Sequence, residues 1–269
     1  MASNALDAWD VTALRFGVAG VLLLPLFARL RFGALRPLPA LFLACGAGAP
    51  YVLLTAGGLA FAPGGHMGVI TPSCMLLCST IGSRLILKEQ ITPARAVGVL
   101  TIFGGIVTLG WDGLVNHGER TWLGDLMFVL GGLFWATYTI GSRVWSVEPF
   151  HATVIVAVLS LLYLPGYALL AEPQIASAPW SEIAIQAVFQ GLLSAIVALL
   201  LYTRAVAILG AARGAVFAAL VPSFSLLIAI PLLHERPTPL QIAGVLLVTA
   251  GMVFALGLHD PARWRARLD

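Results

Sequence analysis

The chain has 269 residues, 59% of them hydrophobic and 10% charged, with a mean hydropathy of +0.96 and a formal net charge of +3. An average soluble domain is about half apolar and a quarter charged, so this composition cannot furnish a water-facing surface. A soluble enzyme, a nucleic-acid binder and a secreted disulfide scaffold are excluded, which leaves an all-α polytopic membrane protein.

The opening MASNALDAWD has no basic n-region and no small-residue cleavage site, so it does not read as a signal peptide. Nine apolar stretches approach the roughly 20 residues that a helix needs to cross a bilayer: 11–28, 38–60, 66–86, 94–110, 122–142, 152–170, 183–203, 212–233 and 240–258. Their length and lack of period-2 alternation predict helices rather than strands. The first carries Arg15. The second carries Cys45, Pro50 and Tyr51, and the third opens on His66 and contains Pro72, Cys74 and Cys78. The three thiols lie in apolar surroundings with no metal-ligand spacing and read as small hydrophobes. The fourth and ninth repeat small residues seven apart, Gly98 and Gly105 in one, Gly244 and Gly251 in the other, a pattern for close helix approach between the two. The 111–121 connection holds Asp112, His117 and Glu119, read as a solvated loop. Asp125 reads as a carboxylate in the first turn of the fifth span, in a capping role favoured there by the helix dipole, with a proton relay as the alternative. The seventh sets Gln186, Gln190 and Ser194 at four-residue steps, one polar stripe on one face.

Placing the C-terminus inside puts Arg29, Arg31, Arg36, Arg84, Lys88, Arg95, Arg143, Arg204, Arg213, Arg263, Arg265 and Arg267 on the cytoplasmic face, against Arg120 and Arg236 outside. This is the positive-inside bias of an inner-membrane protein, with the N-terminus outside. Residues 62–73, APGGHMGVITPS, echo 212–223, ARGAVFAALVPS, and KEQITPARAVGVLTIFGG at 88–105 echoes HERPTPLQIAGVLLVTAG at 234–251. Spans one to four then correspond to spans six to nine. Because an odd number of spans separates the copies, the repeat is inverted in topology, as in secondary transporters with a substrate site near the bilayer midplane. The expected organisation is a first repeat over 1–110 with four helices, an outer linker over 111–121, a second repeat over 122–258 with five, and a basic cytoplasmic tail over 259–269. A partner for the fifth span is expected before Met1.

The segment ALRFGVAGVLLLPL, the Pro-containing spans that end in LILKE and LLHE, the glycine-rich closing helices and LGDLMFVLGGLFWATYTIGSR together resemble the EamA-like branch of the drug/metabolite transporter superfamily, over nearly the whole chain. The resemblance implies ten helices in a five-plus-five inverted repeat, of which the first is missing here, and export or exchange of small metabolites. It also implies an arginine at the place of Arg15.

Ionisable residues within spans are functional candidates by default. Arg15 has no acidic neighbour at helical spacing. It either holds a substrate carboxylate or phosphate through its planar fork or snorkels to headgroups or to Asp10. His66 is the one histidine inside a predicted span; it either shares in proton coupling or bonds water or backbone at a helix end. Tyr51, Trp135 and Tyr138 offer aromatic surface with a polar handle, suited to a cavity and equally to core packing. Gln190 either lines a path or bridges helices. Pro72 and Pro222, equivalent in the repeat, predict helix kinks. The substrate-binding candidates are therefore Arg15, Tyr51, His66, Trp135, Tyr138 and Gln190, with no catalytic residue, metal or cofactor. No phosphate loop or nucleophile constellation occurs, so the reading is a secondary transporter for an amino acid or related amphipathic compound, running as an exporter by alternating access. A membrane-embedded enzyme acting on lipid-linked substrates, or an inactive truncated carrier, stays open. Partners are a small-molecule substrate and the lipid bilayer, without nucleic acid; a homodimer also stays open.

Overall fold

The structure, a computed structural model, describes residues 6–88, 90–116, 120–171, 173–202 and 237–256, with isolated positions between 204 and 231. The described residues are all helical in their regular structure, with no strand. In chain order they form α1 (Ala8–Leu30), α2 (Pro37–Ala47), α3 (Ala49–Gly58), α4 (Gly64–Ile86), α5 (Pro93–Asn116), α6 (Thr121–Val144), α7 (Pro149–Leu159), α8 (Tyr163–Leu170), α9 (Trp180–Gln186) and α10 (Pro239–Leu256). Counting α2 with α3, α7 with α8, and α9 with its continuation to Tyr202, seven of these are long and apolar enough to cross a membrane. The eighth predicted span, 212–233, and with it Pro222, lies outside the described residues apart from isolated helical positions.

Where the helices deviate from the α form, sequence chemistry explains most of it. The predicted span 38–60 is two helices that meet at Gly48. Pro50 has no N–H to donate, and its ring crowds the preceding turn. The amide of Ala49 donates instead to Ser160 Oγ at 3.2 Å. A Cβ on Gly48 would sit 2.2 Å from both Ser160 Oγ and the Ala44 carbonyl oxygen, so glycine is required at this joint. The span 152–170 likewise splits, through a 3-10 turn at Ser160–Leu162, because Pro165 cannot donate to the carbonyl of Leu161. After α9 the helix continues in π geometry over Ala187–Ala198; its local sequence gives no physical reason for the wider turn. α4 runs through Pro72 as one helix, with Ser73 Oγ donating back to the Val69 carbonyl at 2.5 Å.

The chain divides into two compact units, one of residues up to Gly57 with those from Thr137 to Tyr202, the other of Gly58–Ala136 with α10. In the first unit α1 packs on α7 and on the π-helix around Ala19, Leu23, Val154, Ala157 and Ala195. Gly20 brings α1 onto the Ala157 carbonyl, and Gly191 brings the π-helix onto Val18. The entry to α1 is fixed by a reciprocal capping box in which Asp7 Oδ1 accepts from the Asp10 amide and Asp10 Oδ2 from the Asp7 amide. Asp10, fully buried, also accepts from the Tyr167 hydroxyl at 2.5 Å and the Gln174 amide at 3.2 Å. In the second unit α5 and α10 pack along their length, Gly98 against Gly251 and Ala255, Gly105 against Gly244 and Val248. Ile102, Leu109, Phe128, Val248 and Met252 form the core beside them. Many large apolar side chains face outward, Leu169 at 83% exposure and Leu38 at 77% among them. A lipid-facing surface accounts for that distribution and a water-facing one does not.

Candidate functional site

Arg15 sits two turns into α1, on the side that Gly191 allows the π-helix to approach. Its Nη1 donates to Gln190 Oε1 at 3.2 Å, and the carbon at the centre of its guanidinium lies 5.7 Å from the Phe16 ring centroid. Its Nε is buried without a hydrogen-bond partner, and no carboxylate pairs with it among the described residues. Asp10, the one carboxylate the sequence suggested, accepts from Tyr167, Gln174 and Asp7 instead. Tyr51 on α3 lies within electrostatic reach of Arg15, while the hydroxyl of Thr55, one turn on, donates to the Tyr51 carbonyl. Gln186, Gln190 and Ser194 are all half-buried, with Gly191 and Ala195 buried among them, so the predicted polar stripe lies on the packed side of this helix. Thus the first unit gathers Arg15, Gln190 and Tyr51. Tyr138 belongs to the same unit, 2% exposed on α6 and within electrostatic reach of Tyr202.

The arrangement supplies one fixed positive charge with part of its donor fork uncommitted. A cation at the centre of a spanning helix costs about 2.5–3.5 kcal/mol by insertion scales and less toward its ends, and a hydrogen bond to an uncharged amide offsets only part of such a cost. A bound carboxylate or phosphate would complete the set through parallel N–H···O bonds.

His66 and Trp135 belong to the second unit. Trp135 is half-buried on α6. His66, 1% exposed in the first turn of α4, does not bond only to water or backbone: its Nδ1 lies 2.8 Å from Asp125 Oδ1 and its Nε2 lies 2.8 Å from Gln241 Nε2. Two expectations need correction here. Asp125 does not cap a helix; α6 begins at Thr121, which places Asp125 beyond the first turn, where it meets the histidine. Asp112 is not a solvated loop residue; α5 continues past the end of its apolar run to Asn116, and Asp112, fully buried, accepts from the Thr238 hydroxyl. His117 and Glu119 lie outside the described residues.

Thr238 and Gln241 form a reciprocal capping box at the start of α10. The Gln241 amide donates to Thr238 Oγ1 at 3.1 Å, and the Thr238 amide donates to Gln241 Oε1 at 3.0 Å. Asp125, His66, Gln241, Thr238 and Asp112 are therefore one continuous network within the second unit. Sequence reasoning missed Gln241 as a partner of His66; the T-x-x-Q spacing of TPLQ was the available signal, and it announces a cap rather than a contact. Among the described residues no group of three or more His, Cys, Asp or Glu could hold a metal ion.

A further cavity of about 560 Å³ opens in the first unit between the α1–α2 and α6–α7 connections, lined by Phe32, Arg36, Trp145, Glu148 and His151 among others. His151 Nε2 bonds the Arg31 carbonyl oxygen at 2.8 Å, and Arg31, Gly33 and Ser146 around it all have positive φ.

Comparison with known proteins matches residues 1–111 and 122–257 to the EamA-like transporter family. An uncharacterized transporter of Archaeoglobus fulgidus is 24% identical over 173 residues, which is 62% of this chain and 59% of that protein. The chain thus spans about six tenths of the length of the curated relative it matches. A crystal structure 21% identical in sequence superposes with a TM-score of 0.63 over 96% of this chain and 92% of the other, which shows a shared fold.

Proposed function

The chain belongs to the EamA-like transporter family, a multi-pass membrane protein by its spanning helices, and from that premise we propose that it is a secondary transporter of small amphipathic metabolites carrying an anionic group. The observation that carries the reading is Arg15: an apolar helix places a guanidinium against an uncharged amide, without a carboxylate among the described residues and with Nε unpartnered. Amino acids and related carboxylates fit that chemistry, and Tyr51 supplies aromatic surface beside it. The absence of a phosphate-binding loop from the sequence supports a gradient-driven carrier. The transported direction we assign is export, by alternating access.

The repeat echo and the basic-residue asymmetry support nine membrane helices in an inverted-topology arrangement, seated in the inner membrane with the C-terminus cytoplasmic. Reporter fusions then give an external signal from the 111–121 connection and a cytoplasmic one from 143–151. The reverse pattern would remove both the orientation and the inverted repeat.

Exchange into proteoliposomes tests the transport reading. Vesicles preloaded with pooled amino acids, nucleosides and small organic acids are expected to take up labelled carboxylates saturably. Equal uptake by protein-free vesicles would contradict it.

A further inference from the structure

We propose that Asp125, held by His66 and Gln241, is a proton-binding site of the second unit. Hydrogen-bond directions fix where the protons lie. Gln241 Oε1 accepts the Thr238 amide at 3.0 Å. Turning the side-chain amide over would set its NH₂ against that backbone N–H, donor against donor, so the orientation is settled by the backbone. Gln241 Nε2 therefore donates to His66 Nε2 at 2.8 Å. That nitrogen is the acceptor of the ring, and the ring proton sits on Nδ1, donated to Asp125 Oδ1 at 2.8 Å. That donor on Oδ1 suits Asp125 as a carboxylate.

Its second oxygen, Oδ2, is buried with no hydrogen-bond partner among the described residues, and the side chain is 10% exposed. A buried carboxylate oxygen with nothing bonded to it is an unstable arrangement unless something occupies it. Gln241 prevents His66 from offering a second ring proton without a donor clash. Among the described residues, the other titratable group tied into the network is Asp112, at the far end through Thr238. α10 contributes no ionisable residue, and Arg120, just before α6, is exposed. With no Lys or Arg on Asp125 among the described residues, the ligand that suits Oδ2 is a proton. One O–H bond forms, the His66 Nδ1–H bond to Oδ1 is kept, and the charge of the site rises by one. Two carboxylates connected by an imidazole, an amide and a hydroxyl, at the ends of α4, α5, α6 and α10, make a site whose charge changes without any rearrangement of helices. If the chain is a carrier, this site couples its cycle to proton movement; that consequence rests on the transporter reading, whereas the site does not.

Infrared difference spectroscopy of the full protein in liposomes, between neutral and acidic buffer, reads the proton directly and needs no substrate. The wild-type protein is expected to gain a carboxylic C=O band that Asp125→Asn loses and that His66→Phe, with the N–H donor to Oδ1 removed, shifts to higher wavenumber. A full-intensity band in Asp125→Asn at the wild-type position overturns the proposal, as does a band lost only in Asp112→Asn. Should Asp125→Asn fail to fold, an unmoved band in His66→Phe is sufficient to overturn it. A protein that shows the band and no exchange keeps the site and loses the transport reading. One that exchanges substrate without the band does the opposite.

Discussion

Arg15→Ala is expected to lower the efficiency of carboxylate transport by about 10- to 100-fold while the protein still reaches the membrane. The magnitude follows from the charge-assisted hydrogen bonds a guanidinium gives an anion, worth about 1.5–3 kcal/mol each, at 1.4 kcal/mol per factor of ten. Arg15 donates a side-chain hydrogen bond to Gln190 at 3.2 Å. Its loss leaves Gln190, a half-buried neutral amide, at modest cost, so abundance changes little. Arg15→Lys separates charge from geometry. The ammonium keeps the attraction and loses the planar fork, so activity returns in part. Measured uptake kinetics of the three proteins at equal membrane abundance decide the matter. Identical kinetics for all three would take Arg15 out of the substrate site.

The largest structural effect falls on Gly98. A Cβ there would lie 2.2 Å from the Ala255 backbone nitrogen and 2.6 Å from the Gly251 carbonyl oxygen. Backbone atoms cannot move aside as a flexible side chain does, so α5 and α10 must separate along their seam. Gly98→Val is expected to cost at least the ~1–3 kcal/mol of an overpacked core. At Gly104, on the same helix, an added Cβ would meet nothing within 4 Å. Gly104→Ala removes a residue that weakens helices by roughly 0.5–1 kcal/mol, so it leaves the protein as stable or slightly more so. Thermal unfolding in detergent of the two variants beside the wild type measures the contrast. A Gly98→Val protein as stable as Gly104→Ala would show that the helix contact is absent.

That seam was legible in the sequence, because the seven-residue glycine spacing recurs in both apolar runs and small residues have one evident use between membrane helices. The positions of the seven helices long and apolar enough to span were legible for a similar reason: a continuous apolar run of bilayer length has few alternatives. The joint at Gly48 was foreshadowed by Pro50, whose missing N–H acts within one turn. The π-helix was not foreshadowed, since nothing local in Ala187–Ala198 distinguishes it from α geometry. Nor was the Asp125–His66 pair. Its members are 59 residues apart, and Gln241 is 175 from His66. Each alone has an ordinary local reading, as a helix-end acid, a helix-end histidine and a capping amide. Only tertiary packing brings the three to one place. The Arg15–Gln190 bond, spanning 175 residues, stands between these cases. Both residues were conspicuous as polar groups in apolar runs, and their pairing was not.

Counterflow tests the central claim, that this chain is a carrier, most directly. Proteoliposomes loaded with an unlabelled carboxylate metabolite and placed in a trace of the same labelled compound are expected to accumulate label transiently above its equilibrium level, because the excess unlabelled compound inside competes with entered label for the carrier and holds back its efflux. Uptake that never exceeds equilibrium, or that is indifferent to what is inside, would contradict the account.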